Sequence, residues 1–84
     1  MREEVKQFAE EMEKILLEND FKGGWENCEI SYLYCLLYAK IEKFKSLMEN
    51  ELYEDFKKDI QRKTIDIANY CMMIHERLNT KIFV

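Results

Sequence analysis

Eighty-four residues contain no proline, and the only two glycines are adjacent, at Gly23 and Gly24. Proline and glycine are the residues that most strongly interrupt a helix. A chain with one marked break and long uninterrupted stretches on either side is expected to be all-α. Hydrophobic residues make up 48% and aromatics 13%, enough for a packed fold and too much for a disordered one. The length allows one domain, spanning residues 1–84, since a second core would leave neither half enough surface to bury.

Hydrophobic spacing divides the chain into three helices. The first is expected from about Arg2 to Asn19, with Val5, Phe8, Ala9, Met12, Ile15 and Leu16 on one face. The Gly23, Gly24 pair then allows positive φ and a tight connection. A second helix is expected from about Asn27 to Asn50, its seam formed by Ile30, Leu33, Leu37, Ile41, Phe44 and Met48 and widened by Leu36 and Leu47. After the polar turn Glu49, Asn50, Glu51, the third runs from Leu52 to Leu78. Its stripe is Tyr53, Phe56, Ile60, Ile67, Tyr70, Ile74 and Leu78, with Ile65 and Met72 beside it. The apolar tail Ile82, Phe83, Val84 is placed to dock on the bundle or on a neighbouring chain.

Three helices of this length cannot enclose a large core, and two of them are apolar over more than one row. A homodimer or homotetramer is therefore expected, the second copy covering the surplus. Disulfides are poor candidates for added support. Cys28, Cys35 and Cys71 are odd in number and unpaired in pattern, and are read as small buried hydrophobes in a reducing cytoplasm. No signal-peptide pattern or membrane-length apolar run is present, so no membrane partner is expected. A net charge of −4 argues against general nucleic-acid binding.

Three lysines interrupt the apolar pattern. At 100° per residue, Lys40 lies near the apolar face of the second helix between Leu33, Leu36 and Leu47, and Lys43 lies at its border. Lys63 continues the stripe between Ile60 and Ile67. An unpaired buried ammonium is costly. Such lysines either run their stems out to water, pair with Glu42 or Asp66, or hold an anionic ligand. Cys71 and His75, four apart, form one half of a metal site with no second half. One histidine supports no Ser-His-Asp or Cys-His-Asn arrangement, and no phosphate-cradling P-loop is present.

Two segments carry a family resemblance. Phe8-Ala9, Met12-Glu13, Asn19 and Lys22-Gly23-Gly24-Trp25 resemble the leader and glycine–tryptophan turn of phage-type MazG-like nucleoside-triphosphate pyrophosphohydrolases. Asp66-Ile67-Ala68-Asn69-Tyr70-Cys71-Met72-Met73-Ile74 is similar to that family's Asp-Val-Ala-Asn-Phe-Ala-Met-Met-Ile segment. The likeness extends over roughly residues 5 to 78 and implies a MazG-like helical bundle completed by oligomerisation.

The family holds Mg²⁺ with an EExxE motif on one helix and an ExxD motif on the next, because hard oxygen ligands suit that ion and the ion neutralises phosphate charge. Here the resemblance puts Ala39, Lys40 and Lys43 at the EExxE positions and Lys63 at the ExxD glutamate. Only Asp66 remains, and Phe21 replaces the family's histidine. The exchange implies a non-catalytic nucleotide-binding protein that needs no cofactor and holds phosphates through lysine. Lys22, Trp25, Lys40, Lys43, Lys63, Asp66 and Asn69 are its candidate binding residues. The ligand class is a nucleotide or cyclic nucleotide, and the phage-like character suggests a viral anti-defence sponge for a signalling nucleotide. Two alternatives stay open. One is a Mg²⁺-dependent pyrophosphohydrolase with a rearranged set such as Glu42, Glu49 and Asp66; the other is a helical partner-binding protein without a small ligand.

Overall fold

The computed structural model describes residues 1–20 and 23–80. Three α-helices carry the fold: α1 (Glu3–Glu18), α2 (Ile30–Met48) and α3 (Lys57–Thr80), the last preceded by a 3-10 turn at Tyr53–Phe56. The all-α, three-helix bundle expected from the sequence is what forms. Phe21, Lys22 and the tail 81–84 lie outside the described residues, so the expectations for Lys22 and the apolar tail have no structural counterpart here.

Local chemistry explains where the helix ends differ from the periodicity. α1 stops at the Asn19 cap, whose side-chain Nδ2 donates to the Ile15 carbonyl at 3.0 Å, satisfying one of the last orphan acceptors. Gly23 takes φ of 91°, the left-handed region where a β-carbon is penalised, and so meets the expectation for the paired glycines. α2 begins three residues later than expected because the Cys28 N–H donates to the Trp25 carbonyl at 3.0 Å, closing a separate turn first. The third helix also starts late. The Asn50 Oδ1 accepts from the Leu52 N–H at 2.8 Å, an Asx-type turn that holds the chain out of helix.

α3 is the central element. α1 and α2 each pack on it, and among the described residues no backbone-level packing joins α1 to α2. A cleft therefore opens between α1 and α2, floored by α3. The connector is drawn onto the same helix by Arg77, whose Nε donates to the Cys28 carbonyl at 3.2 Å. Asn69 ties α3 to α1 by donating from Nδ2 to the Met12 carbonyl at 3.2 Å.

Very little of this bundle is fully enclosed. Its buried apolar residues among those described are Ile15, Leu33 and Ile65, one from each helix. The seam expected for α2 is corrected by rotation. Leu33, Leu36, Leu37, Lys40, Phe44 and Leu47 turn inward, whereas Ile41 and Met48, expected in the seam, are exposed. On α1, Val5, Phe8 and Ala9, expected on its buried face, are also exposed. The cysteines are corrected too: Cys28 is half-buried, but Cys35 and Cys71 are exposed. No described helix is long and apolar enough to cross a membrane.

Candidate functional site

The cleft between α1 and α2 contains a cavity of about 490 Å³. Its position follows from the helix packing, and its chemistry follows from four residues of α3 at helical spacing. Arg62, Asp66, Asn69 and Met73 recur at intervals of four, three and four, so they share one face along the cavity floor. Trp25 comes from the glycine connector, Tyr32 and Lys40 from α2, and Ile15 and Leu16 from α1.

Asp66 is the electrostatic centre. Its side chain is only 11% exposed, and cations approach it from two sides. The Lys40 Nζ reaches Oδ2 from α2 at 3.4 Å, while the Arg62 Nε donates to Oδ1 at 3.2 Å from one turn earlier on α3. Arg62 also reaches the Glu18 carboxylate of α1 at 3.8 Å. Carboxylates from two helices thus position one guanidinium, which retains further N–H donors for a third group.

Asn69 lies beside this group at 4% exposure. Its Nδ2 is committed to Met12, and its Oδ1 has no protein hydrogen-bond partner. The Tyr70 hydroxyl completes the polar wall. Burial, then the Asp66 carboxylate, then Tyr32 hold its pKa above the ordinary 10.0, so it is a neutral hydrogen-bond donor at physiological pH.

That shift carries a stability prediction. A raised folded pKa means that folding favours the protonated phenol. Its contribution is fully present below pH about 10 and is lost as pH rises through the higher folded value. The urea midpoint of the parent protein should fall more steeply above pH 10 than that of Tyr70→Phe. Parallel profiles for the two proteins would contradict the assignment.

The expected binding residues separate into two groups. Trp25, Lys40, Asp66 and Asn69 converge on the cavity. Lys43 is exposed and Lys63 half-buried, and neither lines this cavity or the groove between α1 and α3. The three lysines therefore do not share one pocket. Arg62, absent from the expected set, takes the place assigned to Lys63; its i,i+4 spacing from Asp66 is the sequence signal for it. Glu42 and Glu49, named for a rearranged metal site, are exposed and lie outside the cavity. Among the described residues, no group of three His, Cys, Asp or Glu side chains is placed to hold a metal ion. Cys71 and His75 are both exposed.

No family model matches this chain, and no curated protein or solved structure matches it either.

Proposed function

We propose that the domain binds a nucleotide in the α1–α2 cleft without metal and without turning it over, as a MazG-like pseudoenzyme acting in a homo-oligomer. The observation that carries this reading is the pairing of Lys40 and Arg62 around the buried Asp66, within a cavity also lined by Trp25, Tyr32 and Tyr70. Nucleotides combine an anionic group with a flat aromatic one. Lysine and arginine suit the phosphate oxygens, and aromatic faces stack a base. A volume of about 490 Å³ lies within the range of small-molecule sites. In this role Asp66 keeps the two cations apart and oriented until a phosphate arrives. A sponge for a signalling nucleotide is the biological form that this chemistry suits.

A metal-dependent hydrolase makes different demands. It needs several oxygen ligands around one ion. Asp66 faces two cations instead, and Glu42 and Glu49 stand elsewhere on the surface.

A thermal-shift screen of linear and cyclic nucleotides, each with EDTA and with Mg²⁺, tests the proposal. A shift that persists in EDTA is expected. Asp66→Asn sharpens the test, because it removes a competing negative charge and preserves the side chain's shape. Metal-free nucleotide affinity should rise about tenfold in this variant. Mg²⁺-dependent release of pyrophosphate that Asp66→Asn abolishes would replace the proposal with the enzyme.

A further inference from the structure

The outer side of α2 carries a second row of residues that the bundle does not use. Tyr34, Tyr38, Ile41, Lys45 and Met48 follow one another at intervals of four, three, four and three along α2. This is the a/d spacing of a helix that packs lengthwise against another helix. All five residues are exposed, Tyr34, Tyr38, Ile41 and Met48 by 40% to 58%. The Tyr34 and Tyr38 rings lean together at 6.5 Å between centroids, forming a continuous aromatic surface. At 100° per residue, the row lies about 100° around α2 from the face that packs on α3.

The whole chain exposes more surface than a compact monomer of its mass, an excess that this row shares with the α1–α2 cleft and the α1–α3 groove. A folded monomer of 10.3 kDa exposes about 5,400 Å² by the usual mass scaling, whereas this chain exposes 6,765 Å². Its radius of gyration is 14.4 Å, against about 12 Å for a compact domain of 84 residues. The excess area is larger than the roughly 800 Å² that each partner gives to an interface of standard size.

We infer that this row is an isologous dimer interface, in which α2 packs antiparallel on α2 of a second copy about a twofold axis level with residue 43. The row itself supplies the register. With the axis at that level, Ile41 meets Lys45 of the second copy and Tyr38 meets Met48 of the second copy. Every a position then faces a d position, as antiparallel packing requires. The pairing is complementary: the aromatic ring of Tyr38 meets the flexible side chain of Met48. Lys45, its only charged residue, lays its stem over the opposed isoleucine and comes within reach of the adjacent Glu42 of the second copy. A parallel pairing would instead set Lys45 against Lys45 inside the seam.

This interface leaves the candidate site open. Tyr32, which lines the cavity, is about 160° around α2 from Tyr34, so each copy keeps its own cleft. The inference is therefore independent of whether the cleft takes a nucleotide.

Two measurements test it on the full chain. Sedimentation velocity should show a dimer, and Ile41→Asp should weaken it by about a hundredfold, because a carboxylate would be trapped in the seam. Leu17→Asp, the same change at an exposed leucine of α1, should leave the dimer intact. A monomeric parent protein, or equal effects of the two variants, would overturn the inference.

Cross-linking reads the register without relying on a disruptive variant. In a background with Cys28, Cys35 and Cys71 replaced by serine and helicity confirmed, Ile41→Cys protein mixed with Lys45→Cys protein should form a mixed disulfide dimer on mild oxidation. Either protein alone should cross-link far less. Preferential linking of like with like indicates parallel helices, and no linking indicates another interface; either result rejects the proposal.

Discussion

Leu33→Ala should leave the protein largely unfolded near 37 °C, with its urea midpoint sharply lowered at 25 °C. Leu33 is 1% exposed and is the one large side chain among the described residues that is fully enclosed. Truncating a buried leucine costs about 2–5 kcal/mol, from lost transfer energy and the void left behind. A domain of this length has roughly 4–13 kcal/mol of stability in total. One substitution therefore removes a large share of it. Few other contacts can compensate, because each helix contributes a single buried apolar residue. Leu17→Ala is the matched comparison, at a leucine exposed by 61%, and should change stability by no more than about 0.5 kcal/mol. Both should be measured at one protein concentration, since the proposed self-association would add to apparent stability. Equal midpoints for the two variants would show that the core lies elsewhere.

Metal-free nucleotide binding should disappear when Lys40 and Arg62 are replaced together by alanine. Each supplies a charged donor beside Asp66, from a different helix. Losing one charge-assisted hydrogen bond costs about 1.5–3 kcal/mol, or roughly ten- to a hundredfold in affinity. Loss of both takes an ordinary micromolar ligand beyond measurable range.

The comparison variants carry the specificity of this test. Lys43→Ala and Lys63→Ala remove the same charge from the same two helices at positions outside the cavity, and Lys57→Glu reverses an exposed charge near the 3-10 turn. All three should bind nearly as the parent does. Titration calorimetry with the best nucleotide from the metal-free screen gives the affinities. If Lys43→Ala or Lys63→Ala weakens binding as much as Lys40→Ala, the attraction is diffuse surface charge and the site is wrong. If none of the variants matters, α2 and α3 do not form the phosphate subsite.

Part of the candidate site was legible along the chain because its signals are local. An ammonium at Lys40 on an apolar face requires a partner, and Asp66 was one of the two carboxylates named for it. Trp25, beside the glycine pair, and Asn69, three residues after Asp66, were singled out through the motifs they occupy. The cavity contains all four. Arg62 is only weakly legible, because its i,i+4 spacing from Asp66 is common among charged pairs on helix surfaces. Its importance appears only when Glu18 of α1 and Asp66 of α3 are seen to hold it from two directions.

By itself, the sequence determined the helix count, the breaks at the glycines and at the polar turn Glu49, Asn50, Glu51, and the identity of the residues sharing each helical face. These follow from short-range rules: backbone freedom at Gly23, the missing prolines and the 3.6-residue period. Only the tertiary structure decided which face of α2 turns inward. Ile41 and Met48 belong to a near-heptad row with Leu33 and Leu37, but a straight helix drifts about 20° per heptad away from such a row. α3 instead accepted the neighbouring set of Leu36, Lys40, Phe44 and Leu47. Two apolar rows on one helix are equivalent in a linear pattern. Packing separates them, because Lys40 reaches the buried Asp66 only when α2 is turned to that side, and the other row is then left facing outward.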